Sequence, residues 1–287
     1  MNILISADKR YLNKYKTMLF SLKKYNKDFT VFFLNQSLSH SKMRKFKKYL
    51  RKRIGCECIY IDIDKKLFEK LPINRVRFGT ETYSRLLAQF YLPDDLDRIL
   101  WVDADVICKK NIEKVYFQDF GNKSVIATID IGEDYVRNNY QKKIGLDLNN
   151  KQHYVNAGII LLNIRRMRET TNIEYILNMF SELKDKVKLQ DQDILNVLYK
   201  DDMKYESKYF NYQIRYIDSI DDEDLNKIFF LHYISTEKPW KIKSHNPLSF
   251  FWWEIEKERG NIIKYYSYLF ARKVYMAIRN FYFRLKY

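Results

Sequence analysis

Glycine, proline and cysteine are scarce in this chain of 287 residues, and each scarcity excludes a class of protein. Seven glycines and four prolines are too few for collagen-like repeats or long flexible linkers. The three cysteines, Cys56, Cys58 and Cys108, cannot form an even set of disulfides, and two cysteines separated by one residue are a poor zinc motif. The sequence therefore indicates a reducing, cytosolic compartment.

Long apolar runs are absent as well. No stretch reaches the roughly 18 uninterrupted apolar residues of a membrane-spanning helix. The start, MNILISADKRYLNKY, lacks the basic and apolar regions of a secretory signal peptide. We expect a cytoplasmic protein whose membrane contact is peripheral, on the inner face of the cell membrane.

Positive charge is what the sequence has in excess. The chain has 52 Lys and Arg against 36 Asp and Glu, a formal net charge of +16, and 46% of its residues are hydrophobic. That composition is typical of a globular protein, and the charge favours an anionic partner such as nucleic acid, anionic lipid or a phosphorylated substrate. A nucleic-acid-binding module is the less favoured alternative, because acidic motifs stand where phosphates would bind.

Strand-like and helix-like segments alternate along most of the chain. Apolar runs predict strands, and apolar residues at helical spacing predict helices at 11–25, 41–54 and 80–92. The alternation predicts one α/β domain over residues 1–245, with a mostly parallel sheet flanked by helices. Residues 246–287 form the predicted C-terminal helical appendage, rich in basic and aromatic residues. The sequence leaves the oligomeric state open.

Two aspartates, Asp103 and Asp105, follow the apolar run RILWV directly. In an extended segment, residues i and i+2 point the same way, so both carboxylates could bind one cation. His232 follows the apolar run IFFL and could reach the same edge of the sheet. Carboxylates with an imidazole suit manganese, with magnesium possible. The alternative is a pair of turn aspartates and a structural histidine.

Three further motifs place polar side chains beside apolar runs. Asn156 precedes the run AGIILLNI, Asp191 and Gln192 lie in LQDQD, and Lys238 lies in EKPW. Each could contact a phosphorylated substrate, and Arg85 in TYSRL suits the oxygens of such a substrate. The alternatives are a strand bulge, a helix N-terminus that favours acidic residues, and solvated surface cations.

Six stretches together resemble glycosyltransferase family eight, which includes glycogenin and bacterial lipopolysaccharide and lipooligosaccharide galactosyl- and glucosyltransferases. They occur in the family's order within residues 3 to 240: ISAD, TYSRLLAQFYLP, ILWVDADVIC, YVNAGIILLNI, LQDQDILN and HYISTEKPW. The stretch IDIGEDYVRNNYQKKIGL resembles the bacterial galactosyltransferase branch most.

The resemblance implies a GT-A fold and a manganese-dependent, retaining transfer of a hexose from a UDP-sugar to a glycan acceptor. Galactose is the preferred sugar and glucose the next, and the acceptor is a lipid-linked saccharide or a glycoprotein. A metal-dependent UDP-sugar hydrolase is the alternative, since it would share the metal and donor contacts.

The resemblance also assigns residues. The implied metal ligands are Asp103, Asp105 and His232. The implied reaction-centre residues are Gln192, Asp191, Asp130 and Lys238. The implied donor contacts are Ala7, Asp8, Tyr11, Arg85, Asp103, Ala104, Asp105, Asn156, Asp191, Gln192, His232, Ser235 and Lys238. Two positions depart from the family pattern: Arg10 stands where asparagine is common, and Ser235 replaces a glycine.

The last 27 residues, 261–287, contain six Lys and Arg and no acidic residue. On a helix, one face would carry these apolar residues: Ile262, Tyr266, Leu269, Val274, Ile278, Phe281 and Leu285. A basic amphipathic helix of this kind is typical of a segment that lies on an anionic membrane surface. The alternative is a helix packed on the core. The basic run at 42–53 is interpreted as a solvated helix face.

Overall fold

A computed structural model of the chain describes residues 1–64, 66, 80–150, 152–214, 222–234, 236, 238–244 and 246–286. The strands are β1 (Asn2–Ile5), β2 (Thr30–Asn35), β3 (Glu57–Asp62), β4 (Arg98–Val102), β5 (Val106–Cys108), β6 (Val125–Ile129), β7 (Val155–Asn163), β8 (Met203–Glu206), β9 (Tyr212–Gln213) and β10 (Phe230–His232). Seven of them form one sheet in the order β3-β2-β1-β4-β7-β6-β8, and the other three form a small sheet in the order β5-β10-β9.

The large sheet is mostly parallel, as predicted. Strands β3, β2, β1 and β4 pair in parallel, and so do β6 and β8. Strand β7 is the exception, because it runs antiparallel to both β4 and β6. Its run VNAGIILLN is buried at every position except the last, which is typical of a strand covered on both faces.

Helices flank the large sheet on both faces or, in the case of the last two, pack against the small sheet. They are α1 (Leu12–Tyr25), α2 (His40–Tyr49), α3 (Ser84–Leu87), α4 (Glu113–Tyr116), α5 (Glu133–Asn139), α6 (Ile164–Thr170), α7 (Ile173–Leu183), α8 (Asp191–Leu198), α9 (Asp222–Lys227), α10 (Ser249–Glu258) and α11 (Ile262–Lys286). A π-helical turn, Leu50–Ile54, continues α2. Within the described ranges, none of these helices combines the length and apolar character that a membrane crossing requires.

The continuous helix predicted over 80–92 is wrong in detail. The segment is divided into a 3-10 turn, the single turn of α3 and another 3-10 turn. Tyr83 and Leu86 are fully buried, as is Arg85, so neighbouring side chains point into the core on several sides. Tertiary contacts, rather than one amphipathic face, therefore determine the path of this segment.

Apolar side chains form a core on each side of the large sheet. Trp101 of β4 and Ile160 of β7 belong to one core, whereas Leu100 and Ile159 belong to the other. This alternation follows from the two-residue period of a strand. A third apolar cluster joins the small sheet to α10 and α11.

Helix α10 packs against α1. Thr17 of α1 donates to the buried carboxylate of Glu256, which Arg259 also binds at 2.9 Å. The Trp253 ring stacks on Tyr268 of α11 with centroids 4.2 Å apart, and its Nε1 donates to the carbonyl oxygen of Pro239 at 2.9 Å. The predicted domain boundary at residue 245 stays a prediction, and these contacts cross it.

The predicted apolar face of α11 points into solvent. Tyr268 is the buried residue through which α11 packs on α10, while the exposed residues are Ile262, Tyr266, Leu269, Val274 and Ile278. The side chains of Phe281 and Leu285 lie outside the described residues. The alternative, in which this face packs on the core, is wrong for the five described positions.

Candidate active site

Asp103, Asp105 and His232 come together beside the carboxyl end of β4. Each side chain offers one ligand atom, and these atoms lie within 4.8 Å of one another. His232 ends β10, where it pairs with Val106 of β5, and its Nε2 lies 3.4 Å from Oδ1 of Asp105. Two strands that are distant in sequence thus bring an imidazole to the aspartate pair.

The route to this convergence differs from the sequence prediction. Asp103 and Asp105 lie in the turn between β4 and β5, not in an extended segment. The turn brings the carboxylates together, and the peptide N–H of Asp103 donates to the carbonyl oxygen of Gly158 in β7 at 2.8 Å. The turn interpretation and the cation-site interpretation of these aspartates therefore hold together.

The donor set fits a divalent cation. Burial would raise the pKa of Asp105, but the positive charge of Lys238, together with the adjacent His232 imidazole, outweighs burial and holds that pKa well below its usual range. Lys238 Nζ donates to Asp105 and to the carbonyl oxygen of Tyr233. Two carboxylates with one imidazole form the kind of ligand set that Mn²⁺ or a similar ion accepts.

Asn211 and Gly158 complete the surroundings of His232, and the sequence motifs did not single out Asn211. Asn211 Oδ1 lies 3.0 Å from His232 Nδ1. An amide oxygen only accepts, so Nδ1 carries the proton and Nε2 keeps its lone pair for a ligand. A Cβ at Gly158 would overlap the imidazole, so the glycine of the N-A-G motif makes room for His232.

Arg85 is buried rather than a surface charge, with 2% of its side chain exposed. Its guanidinium lies 3.0 Å from Asp103 and 3.1 Å from Asp191, and it also donates to the carbonyl oxygen of Ala157. Its Cζ lies 4.3 Å from the ring centroid of Trp101. Arg85 therefore fixes two candidate site carboxylates relative to each other.

Gln192 is held by hydrogen bonds on both sides of its amide. Its Oε1 accepts from the peptide N–H of Ala157 at 3.0 Å, and its Nε2 donates to Asp130 at 3.1 Å. Asp130 also accepts from Asn156 at 2.8 Å. Three expected site residues, Asp130, Asn156 and Gln192, thus belong to connected hydrogen bonds around β7 and α8.

A strained residue precedes α8. Gln190 has φ 48° and ψ −114°, a backbone conformation that residues other than glycine rarely adopt. Helix α8 begins at the next residue, so Asp191 and Gln192 lie in its first turn. Burial raises the pKa of Asp191, and Arg85 opposes that effect. The helix-terminus interpretation and the site interpretation of LQDQD are compatible.

Two of the expected donor contacts, Asp8 and Tyr11, lie directly before α1. Ala7 is buried, as is Ala104, while Asp8 accepts from the peptide N–H of Arg10 at 2.7 Å and from its Nε at 2.6 Å. Burial and the negative charge of Asp105 raise the pKa of Tyr11. Ser235 lies outside the described residues.

Solved structures with the GT-A fold are similar to this chain. The galactosyltransferase LgtC, crystallised with donor and acceptor sugar analogues, matches 90% of this chain and 96% of its own with a TM-score of 0.76 and 23% identity. GlyE of Streptococcus pneumoniae matches 88% of this chain and 59% of its own with a TM-score of 0.65 and 22% identity. The GT-A fold predicted from the sequence is confirmed.

Sequence relatives agree with this fold. Glycosyltransferase GlyE of Streptococcus pneumoniae is 26% identical over 88% of this chain, and the lipopolysaccharide 1,3-galactosyltransferase of Salmonella typhimurium is 27% identical over 70%. The chain spans 60% of the length of each of these relatives. The model of glycosyl transferase family 8 matches residues 2–244. The chain therefore belongs to glycosyltransferase family 8.

Proposed function

We propose that this glycosyltransferase moves a hexose from a UDP-sugar to a glycan acceptor, with retention of the anomeric configuration and with a divalent metal ion, preferably Mn²⁺. The observation that carries the proposal is the group formed by Asp103, Asp105, His232 and Lys238 at one edge of the sheet. We propose galactose as the first sugar and glucose as the second, because relatives include lipopolysaccharide 1,3-galactosyl- and 1,2-glucosyltransferases.

The chemistry requires stabilisation of a leaving group. Breaking the bond between the anomeric carbon and UDP builds negative charge on the diphosphate, and a bound divalent ion would neutralise part of it. Lys238 supplies a fixed positive charge beside Asp105, where it can bind a diphosphate oxygen. Asp103 and Asp105 would hold the ion through their oxygens, and His232 through Nε2.

The sugar side of the site needs orientation rather than a strong base. Gln192 has a neutral amide whose oxygen already accepts from Ala157, and amides are weak nucleophiles. The carboxylate of Asp191 is bound to Arg85, which suits hydrogen bonding to sugar hydroxyls. We therefore propose attack on the same face from which UDP leaves, with Asp130 and Asn156 near the sugar or the acceptor.

The acceptor that we propose is a saccharide attached to a membrane lipid, with a glycoprotein glycan as the second possibility. Helix α11 supports a membrane location, because its exposed face is apolar and its flanks are basic. Binding to an anionic membrane on the cytoplasmic side would bring the site to such an acceptor. Nucleic acid has no place in this proposal.

A donor screen tests the proposed activity. UDP release is measured for a set of nucleotide sugars with Mn²⁺ or with a chelator, and with or without a glycan acceptor. We expect release from UDP-galactose first and UDP-glucose second, only with metal, and faster with acceptor. Equal release with and without acceptor would favour the hydrolase, and no release from any UDP-sugar would refute the proposal.

Two substitutions sharpen the screen. Asp105→Asn should abolish metal-dependent release, whereas Asp134→Asn, a control at an 83% exposed carboxylate, should leave it unchanged. Gln192→Ala tests direct attack by the amide: activity within a few fold of the unsubstituted enzyme would exclude Gln192 as a nucleophile.

A further inference from the structure

We propose that α2 and its π-helical turn join α11 in one surface that binds an anionic bilayer. The inference extends the membrane location in the proposed function and rests on it. We call the cations of the first segment the basic ridge: Lys42, Arg44, Lys45, Lys47, Lys48, Arg51, Lys52 and Arg53. The sequence alone favoured a solvated helix face for these residues, and three structural observations favour a membrane instead.

The first observation is that the basic ridge is exposed and lacks counter-charges. Met43 and Phe46 turn the apolar side of α2 into the core, and every ridge cation is exposed. Among the described residues, none of the eight lies within 4.0 Å of a carboxylate, although cations elsewhere, such as Arg165 with Asp97, do. The sequence contains no acidic residue between Asp28 and Glu57. Eight like charges in this spacing repel one another, and an external anionic surface would relieve the repulsion.

The second observation is direct contact between the basic ridge and the junction of α10 with α11, residues 259–261. Arg53 Nη2 donates to the carbonyl oxygen of Arg259 at 3.3 Å and lies near Gly260. Arg259 in turn approaches the hydroxyl of Tyr49, and the Nζ of Lys16 lies 4.8 Å from the ring centroid of Tyr49. The last ridge cation therefore touches the junction from which α11 begins.

The cations near this junction affect one another. Burial lowers the pKa of Lys16, and the charges of Arg259 and Lys264 lower it further. Lys264 is exposed on the first turn of α11. Positive charge thus continues from the ridge, past Lys16, onto α11. The carboxylates of α10 near this path are buried or bound: Glu256 is buried, Glu254 accepts from the hydroxyl of Tyr265, and Glu258 pairs with Lys24.

The third observation is the apolar surface that starts at the same junction. Ile263 is 83% exposed and Phe270 is 72% exposed, on the side of α11 away from Tyr268. Residues 42–53 carry eight cations and residues 261–287 carry six, which together account for 14 of the 16 excess positive charges. Cations with adjacent exposed aliphatic and aromatic side chains fit a bilayer, where lipid headgroups and acyl chains are neighbours. Nucleic acid would leave the apolar side chains uncovered.

Binding to vesicles tests the composite surface. Full-length protein is titrated with phosphatidylcholine vesicles that contain about a third phosphatidylglycerol. The ridge variant carries Lys45→Gln, Lys48→Gln and Lys52→Gln. Its matched control carries Lys114→Gln, Lys184→Gln and Lys186→Gln, which remove the same charge from exposed positions on other elements. The apolar variant carries Ile263→Ser and Phe270→Ser.

We expect the ridge variant to bind at least about tenfold more weakly than the matched control, with the difference shrinking at high salt. Equal binding by ridge variant and control, with binding lost only in the apolar variant, would overturn the composite surface and leave α11 as the membrane contact. If the unsubstituted protein does not bind the vesicles, both the composite surface and the membrane contact through α11 are overturned. Binding to a single-stranded RNA is measured for the same variants. If the ridge variant loses RNA binding and keeps its vesicle binding, the ridge binds nucleic acid and the composite membrane surface is overturned. UDP release with a soluble acceptor is measured in parallel, so a failure of the proposed activity is seen separately.

Discussion

Asp103 and Asp191 are bound by one guanidinium, that of Arg85, with Nη2 3.0 Å from Asp103 and Nε 3.1 Å from Asp191. One carboxylate belongs to the candidate metal site and the other to the candidate sugar site. The distance between these sites is therefore determined by the planar fork of a buried arginine, which packs on Trp101.

Replacing Arg85 with Lys should impair both stability and catalysis. An ammonium group cannot reach both carboxylates and the carbonyl oxygen of Ala157 in the same geometry, and breaking a buried ion pair costs about 3–5 kcal/mol. We expect a lower free energy of unfolding in urea and a fall in kcat/KM for the donor of at least about 100-fold. Arg137→Lys, in a partly exposed ion pair, is the control and should change stability by less than about 1 kcal/mol. Native-like kinetics in the Arg85 variant would contradict this role.

Replacing Asn211 with Ala should weaken metal binding without removing a ligand. Asn211 holds the Nδ1 proton of His232, and loss of such a partner typically costs about 10- to 100-fold in metal affinity. Titration of UDP release with Mn²⁺ measures the effect, and Asn139→Ala, at an exposed asparagine, is the control. An unchanged metal requirement would show that Asn211 does not position His232.

Replacing Gly158 with Ala should push His232 out of position. The added Cβ would overlap the imidazole, and overpacking of this kind costs about 1–3 kcal/mol. Thermal unfolding should give a lower Tm, and metal-dependent UDP release should fall. The double variant with His232→Ala should recover stability relative to Gly158→Ala but not activity. If the double variant is no more stable than Gly158→Ala, the clash lies elsewhere.

The three cysteines should be unreactive until the protein unfolds. Burial raises the pKa of the Cys56 thiol to about 11 and those of Cys58 and Cys108 to about 12. At about pH 8 a thiol reagent should therefore react slowly with the folded protein and rapidly in denaturant. Ser37→Cys, at an exposed position, supplies a fast-reacting control. Fast reaction of all three native thiols would contradict their burial.

The same thiols predict a pH dependence of stability. Their pKa values in the folded protein exceed the ordinary value of 9.0, so the folded state keeps protons that the unfolded chain loses. The free energy of unfolding should therefore fall as pH rises from about 9 towards about 11. Urea unfolding across this range, compared with a Cys58→Ala variant, measures the contribution of that thiol.

Much of the fold could be predicted from sequence because apolar runs such as RILWV and IILLNI report burial directly. The orientation of β7 could not, since a strand buried on both faces reads the same in either direction. The conformation of the segment around Arg85 could not be predicted from the hydrophobic pattern either, because an arginine in the core is indistinguishable in sequence from one on a surface helix. Its partners come from distant parts of the chain.

The candidate site, like the fold, could be predicted from the sequence only in part. The apolar runs that precede Asp103, Asp105 and His232 predict that all three reach one edge of the sheet, and the family resemblance implies the same ligand set. Asn211 stands in the segment KYFNYQ, which carries no recognisable spacing, so only the folded structure relates it to the imidazole. The exposed face of α11 followed from helical periodicity, whereas the contact of Arg53 with Arg259 required the tertiary structure.

The stacked rings of Trp253 and Tyr268 have a consequence for how this enzyme would respond to its surroundings. Trp253 also holds the carbonyl oxygen of Pro239, the neighbour of Lys238. Close-packed rings pass on a displacement instead of absorbing it. A tilt of the last long helix would thus reach Lys238 through the side chains of Tyr268 and Trp253, so the surface that this helix contacts would influence the candidate site.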